Sequence, residues 1–336
     1  MDPAKTSNEK QRIYYLDCLR VIATFAVIMI HVSAMKWHDE PVDSFNWQVL
    51  NAYDSLVRFG VPLFVMLSGA LFLDRNKAVT YRKLLTRNIP RLMTAFLFWS
   101  SGYAAAFTVR PALKAGKQIN ITNLLKTVLN GHYHMWFVFM IIGLYLVTPF
   151  LRQLALDRRL QEQFIIMSFL LTMCTNLLKA LPLPYTDFIS SYIAKFQVVI
   201  VSGYAGDYRL GHYLHNYELS PKKKRLLYGL AAVSLLFTVT ASSIWSVKTG
   251  TPHKELYEEL LPNTFFVSAA VFVWVKDHCT AAKNRVVARF VTRTSELSFG
   301  IYLVHVFFVQ SLKNQDMSTF LCKPLLSVPR LSIGVF

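Results

Sequence analysis

The chain has 336 residues, 54% apolar and only 16% charged, with a formal net charge of +17 and a mean hydropathy of +0.35. Soluble domains carry roughly a quarter charged residues, so this composition excludes a water-soluble globule and points to helices that face lipid. The basic residues fall in short clusters between apolar runs, a pattern that argues against nucleic-acid binding and fits loops at a membrane surface.

A helical span needs about 20 mainly apolar residues. In chain order, the runs that meet this are Leu19–Met35, Val49–Leu73, Leu92–Val109, Met135–Leu151, Phe164–Leu181, Ile193–Leu214, Leu226–Val247, Leu260–Val275 and Phe290–Leu312. A tenth begins near Pro324 and stops at Phe336, so truncation of a longer sequence is expected. The fold class is therefore an all-α integral membrane protein, a bundle of about ten transmembrane helices. The first span follows about twenty mostly polar residues and many spans come after it, so it is expected to stay uncleaved despite a faint signal-peptide look at Val32-Ser33-Ala34.

Lys and Arg divide sharply between alternate loops. Segments 1–20, 74–91, 152–160, 208–225 and 276–293 hold 23 of them, and the intervening segments 36–48, 109–133, 179–190, 247–262 and 312–323 hold 10. By the positive-inside rule the N-terminus is cytoplasmic. Asn120–Leu129 places Ile121, Leu124, Leu125, Val128 and Leu129 on one face, as an outer interfacial helix or an ordinary amphipathic loop helix does. Cys18, Cys174, Cys279 and Cys322 are scattered, with no metal-ligand spacing and no disulfide framework.

Ionisable groups inside a span are costly unless paired or hydrated, so each is a functional candidate. The first span carries Asp17 and Arg20 at its cytoplasmic mouth and His31 eleven residues beyond Arg20. That is a rise of about 16 Å and a turn about 20° past three whole revolutions, so the two side chains share a face. Arginine suits a phosphate-bearing ligand and a buried histidine suits proton abstraction. Arg20 as a charge anchor and His31 as an interhelical hydrogen-bonding group stand beside those readings. In the second span Arg58, near the outer end, reads as a snorkelling residue, Pro62 breaks the backbone ladder as broken helices do where they line a cavity, and Ser68-Gly69 is a functional candidate or a small-residue packing contact. His132 and His134, two apart, do not share a helix face, which speaks against a metal pair. Trp136 follows them, where an aromatic-belt anchor is the plain reading, and His305 lies mid-helix in the ninth span.

Several ordered segments resemble the bacterial acyltransferase-3 family of integral membrane proteins. They are Asp17-Cys18-Leu19-Arg20 followed by His31, Val61-Pro62-Leu63-Phe64 leading to Ser68-Gly69, Arg87-Asn88-Ile89-Pro90-Arg91, His134-Met135-Trp136-Phe137 with Tyr145 to Pro149, and Ser298 to His305. The likeness is strongest to stand-alone enzymes that O-acetylate enterobacterial common antigen or similar surface glycans. It implies that residues 1–336 form one transmembrane domain of the bacterial inner membrane. Acetyl groups would pass from cytoplasmic acetyl-CoA, a co-substrate, to an extracytoplasmic sugar hydroxyl, with no metal. The family's catalytic arginine and histidine fall on Arg20 and His31. Arg20, Arg87 and Arg91 are then expected to hold the CoA phosphates, and His134 and Trp136 the acceptor. Arg58, Ser68, Tyr302 and His305 are expected to orient His31 or stabilise the oxyanion. The partners are lipid bilayer, acyl-CoA and glycan, and oligomeric state is not legible. A transporter or flippase that uses the same buried Arg and His is the alternative.

Overall fold

The computed structural model describes residues 13–74, 80–181, 203–282, 284–314 and 323–336, and every regular element among them is helical. In chain order the helices are α1 (Tyr14–Ser33), α2 (Phe45–Val57), α3 (Gly60–Phe72), α4 (Tyr81–Lys114), α5 (Ile121–Asn130), α6 (Trp136–Leu154), α7 (Arg158–Ala180), α8 (Ala205–Asn216), α9 (Pro221–Thr249), α10 (Pro262–His278), α11 (Arg285–Asn314) and α12 (Pro324–Val335). Among the described residues eight helical stretches, with α2 and α3 counted together, are long and apolar enough to cross a membrane. They coincide with eight of the nine full spans read from the sequence. The first part of the sixth span lies outside the described residues, as does Cys322, and α8 is what is described of that span.

The alternation read from loop charge recurs in the contacts. At the end rich in Lys and Arg, Arg152 Nη2 donates to Asp74 O (3.0 Å), Lys276 Nζ to Leu214 O (2.8 Å), and Lys224 pairs with Asp277 (2.6 Å). At the opposite end Asn51 Nδ2 donates to Val239 O (3.0 Å), Ser243 Oγ to Gln48 Oε1 (2.7 Å) and Tyr53 OH to Leu325 O (2.7 Å).

Polarity is inverted relative to a soluble bundle. Phe98, Phe150, Leu226, Val233 and Leu236 point outward, where lipid solvates them. On α9 the buried residues are Thr238, Ser242 and Ser246, one turn apart. Small polar residues on the packing face let helices approach closely and bond across: Asn263 Nδ2 donates to Thr238 Oγ1 (2.8 Å) and Ser242 Oγ to Tyr257 OH (3.1 Å). Helix α1 occupies the centre, packed against α2, α3, α10, α11 and α12.

Prolines interrupt the helices at defined places. Pro62 lacks an N–H and its ring crowds the carbonyl four residues back, which belongs to Arg58. The second span therefore breaks at Arg58–Phe59 into α2 and α3. In α4, π-helical turns at Leu84–Asn88 and Ala105–Val109 each end two residues before a proline, Pro90 and Pro111. A widened turn is a known way to accommodate a missing ladder bond. The helix expected between residues 120 and 129 forms as α5, capped by Asn120 Oδ1 accepting from Asn123 N (3.1 Å). Its Leu124 and Val128 are half-buried while Ile121, Leu125 and Leu129 are exposed, as on a helix lying at an interface.

The tightest contact is between α3 and α8. A Cβ on Gly211 would sit 1.9 Å from Met66 O, and one on Gly69 would sit 1.7 Å from Tyr208 O. The two backbones therefore touch, and neither obstacle is a side chain that could swing away. Gly211→Ala is expected to destabilise the protein by about 2 kcal/mol or more through overpacking. Gly229→Ala, where the new methyl meets nothing within 4 Å, is expected to be neutral or stabilising. Thermal unfolding of the detergent-purified variants checks the contrast.

Candidate active site

The site is built on α1. At the basic end of the bundle, Ser295 on α11 bridges two charged groups of α1: its Oγ donates to Asp17 Oδ1 (2.6 Å) and accepts from Arg20 Nη1 (3.1 Å). This fixes the guanidinium and ties α1 to α11. Eleven residues along α1, the His31 ring lies 5.0 Å from that of His305, ten residues beyond Ser295. The two helices therefore run the same way, side by side, and carry matching polar groups at both levels.

Around His31 the third contributor is the start of α6. Gly131, at φ +74°, ends α5, and His132 is extended (φ −73°, ψ 150°) before a 3-10 turn at Tyr133–Met135. Because this stretch is not α-helical, His132 and His134 do approach, with their Nδ1 atoms 3.1 Å apart. The helical arithmetic that separated them does not apply to such a chain. The Tyr133 hydroxyl lies 3.3 Å from His31 Nδ1, and the His134 ring is 6.3 Å from that of His31. His31 Nε2 has no hydrogen-bond partner among the described residues and is the nitrogen left for a ligand. His134 Nε2 and His305 Nε2 are buried without a partner among the described residues. Despite this cluster, no three His, Cys, Asp or Glu side chains among the described residues are arranged to hold a metal ion.

Arg58 closes the far end. It pairs with Asp54, one turn earlier on α2, and its guanidinium lies 4.7 Å from the centre of the Tyr257 ring. The position allows more than snorkelling, since Arg58 faces inward.

A cavity of about 530 Å³ connects these groups. Arg20, Arg87, Arg91 and Ser295 line its basic end. Val27, Phe64, Phe137 and Phe299 line its middle, and His31, Arg58, His134, Trp136 and Glu259 its far end. Nine of the ten residues expected to form the site thus line one cavity: Arg20, His31, Arg58, Ser68, Arg87, Arg91, His134, Trp136 and Tyr302. His305 is not on the wall; it stands against His31, its Nδ1 2.7 Å from Tyr302 O. Tyr302 donates its proton to His134 O (2.6 Å), which makes it a brace for the start of α6. Ser68 and Gly69 divide the two roles open to them, Ser68 on the cavity and Gly69 on α8.

The sequence reading passed over Asp54, Ser295 and Glu259. Asp54 was findable as an acid one turn ahead of Arg58. Glu259 falls within the loop segment 247–262, where no helical spacing marks it. Also passed over are the polar residues of α8, where Asp207 and Arg209 are fully buried, Arg209 Nη1 donates to Leu151 O (2.7 Å), and His212 Nδ1 lies 3.1 Å from Gln161 Oε1. The signal was present, as charged residues inside an apolar span.

Fold and site together define a polytopic membrane protein that presents arginines and a histidine to one internal cavity. The chain belongs to the acyltransferase-3 family: the family described as "Acyltransferase domain" matches residues 13–321. Relatives include proteins named "Probable poly-beta-1,6-N-acetyl-D-glucosamine export protein" from Staphylococcus aureus strains Mu50, MRSA252 and NCTC 8325. Each is 22% identical over 331 residues, 94% of this chain and 90% of the relative. These relatives are named for a different polysaccharide from the enterobacterial antigen that the motifs brought forward. No solved structure matches the chain.

Asp54 is 2% exposed and one of its oxygens, Oδ1, lacks a partner among the described residues. Removing its counter-ion strands a buried charge. Arg58→Met is expected to cost about 3 kcal/mol, and the double change Asp54→Leu/Arg58→Met to recover most of it. Thermal unfolding in detergent measures both.

Proposed function

We propose that this protein is an O-acetyltransferase of the bacterial inner membrane, moving acetyl from cytoplasmic acetyl-CoA to a hydroxyl of an extracytoplasmic surface glycan or its lipid-linked precursor. The observation that carries this reading is the single cavity that joins Arg20, Arg87 and Arg91 at one end to His31, His134 and Trp136 at the other. Loop charge supports placing the arginine end in the cytoplasm. The staphylococcal relatives' name supports a glycan acceptor.

The chemistry follows from the two ends. CoA carries phosphates that cannot enter lipid, and guanidinium forks bind phosphate well. Arg20, held by Ser295, together with Arg87 and Arg91 would retain that handle at the basic end, while the slender thioester arm extends along the apolar middle towards His31. In direct transfer, His31 Nε2 accepts the proton of the sugar hydroxyl as its oxygen attacks the thioester carbonyl; the C–S bond breaks and the proton passes to the departing thiolate. In the two-step form His31 itself carries the acetyl group between donor and acceptor. Tyr133 at Nδ1 and the neighbouring His305 ring hold the imidazole in place for either route. Arg58, its charge shared with Asp54, faces the same space and is placed to steady the developing oxyanion.

A polysaccharide exporter is the second reading, favoured by the relatives' name. Labelled acetyl-CoA supplied to the purified protein with a glycan acceptor separates the two, because an exporter transfers no label. His31→Ala is expected to lower transfer by about 100-fold or more, in keeping with loss of a general base. Arg20→Lys keeps the charge but loses the fork, and is expected to raise the KM for acetyl-CoA about tenfold with a smaller effect on kcat. Wild-type kinetics in either variant would remove that residue from the mechanism.

A further inference from the structure

The two ends of the cavity differ in more than depth. At the basic end Arg20, Arg87 and Arg91 share the wall with Glu296, an excess of positive charge suited to an anionic ligand. At the far end the Arg58 cation stands against two carboxylates, its ion-pair partner Asp54 and Glu259, so the described residues there leave one net negative charge. Glu259 sits between the turn at Glu255–Tyr257 and the start of α10, half-buried. It shares this end of the wall with Trp136 and His31. A ring such as Trp136 packs against the apolar C–H face of a sugar, and a carboxylate accepts hydrogen bonds from two sugar hydroxyls or an amine while repelling another anion.

We infer that Glu259 is the acceptor-selecting residue of the far end, which takes neutral or amine-bearing sugars and rejects sugars that carry a carboxylate. This rests on the acetyltransferase reading and adds the chemical class of its acceptor. It assigns the rejection to like charge held close in a cavity partly shielded from solvent, the arrangement in which electrostatics sets specificity more than affinity. Glu259 is here a specificity residue; it takes no part in the proton transfer at His31.

The test uses purified full-length protein in detergent, where both ends are accessible, with labelled acetyl-CoA. Two matched acceptors compete: cellotriose, and the same trisaccharide with one residue oxidised to glucuronate. Assays run at pH 8, where a histidine of ordinary pKa is neutral and Glu259 is the charge under study. Wild type is expected to favour cellotriose by about tenfold, a modest discrimination for one like charge at the edge of a hydrated site. Glu259→Gln is expected to bring the ratio near one, and Glu259→Lys to reverse it. A change confined to folding or to Arg58 would lower both acceptors together and leave the ratio in place. A wild-type ratio near one, or a preference that survives Glu259→Gln, overturns the inference and leaves the acetyltransferase reading standing. Absence of transfer to either acceptor by wild type overturns the inference, and the acetyltransferase reading then stands or falls with label transfer to the surface glycan itself. Should Glu259→Lys fail to fold, wild type and Glu259→Gln decide the matter.

Discussion

Hydrocarbon cannot solvate a guanidinium or an imidazole, and α1 carries both into the middle of the bundle. The rest of the architecture answers that constraint. Surrounding elements place partners against the charged groups and the imidazole of α1: Ser295 against Asp17 and Arg20, and Tyr133, His134 and His305 against His31. The space between them is a polar-ended cavity within the bundle, which is where ionisable groups at membrane depth are tolerated. Since five helices pack on α1, a change in its polar stripe is felt across the bundle.

Backbone irregularities then decide which side chains reach that space. Without Pro62 the second span would run straight through Arg58; the break puts that side chain beside Tyr257 and over the cavity. The π turn ahead of Pro90 lies within the Arg87–Arg91 stretch, and both arginines line the wall. On α3 the adjacent Ser68 and Gly69 show how finely one helix is apportioned, since they serve the cavity and the α8 crossing respectively.

Much of this was legible in the sequence, for physical reasons. Apolar runs of span length have few alternatives in a membrane, and the alternation of basic loops predicted which ends would meet. Regular helical geometry correctly put Arg20 and His31 on one wall. The misses have reasons of their own. His132 and His134 lie where the chain is extended and then 3-10, so helical angles misplace them. Glu259 gains meaning only from a contact with an end of the cavity two hundred residues away in sequence, which no local pattern encodes. In α8, Asp207, Arg209 and His212 stand at or beside the overlap of the sixth span with the basic segment 208–225, so Arg209 reads as a loop charge, although charge within a span was the very signal used elsewhere.

The apolar middle of the cavity has a further consequence. Substrates that come from opposite faces of a membrane need a passage between those faces, yet an open water column would discharge the ion gradients the cell lives on. Val27, Phe64, Phe137 and Phe299 make that stretch apolar, with the Phe64 and Phe137 rings 6.0 Å apart, and apolar walls resist wetting, as they do in hydrophobic channel gates. A thin uncharged chain can lie there where hydrated ions do not pass. On the acetyltransferase reading, the aromatic side chains that would grip a substrate's arm would also keep the passage dry.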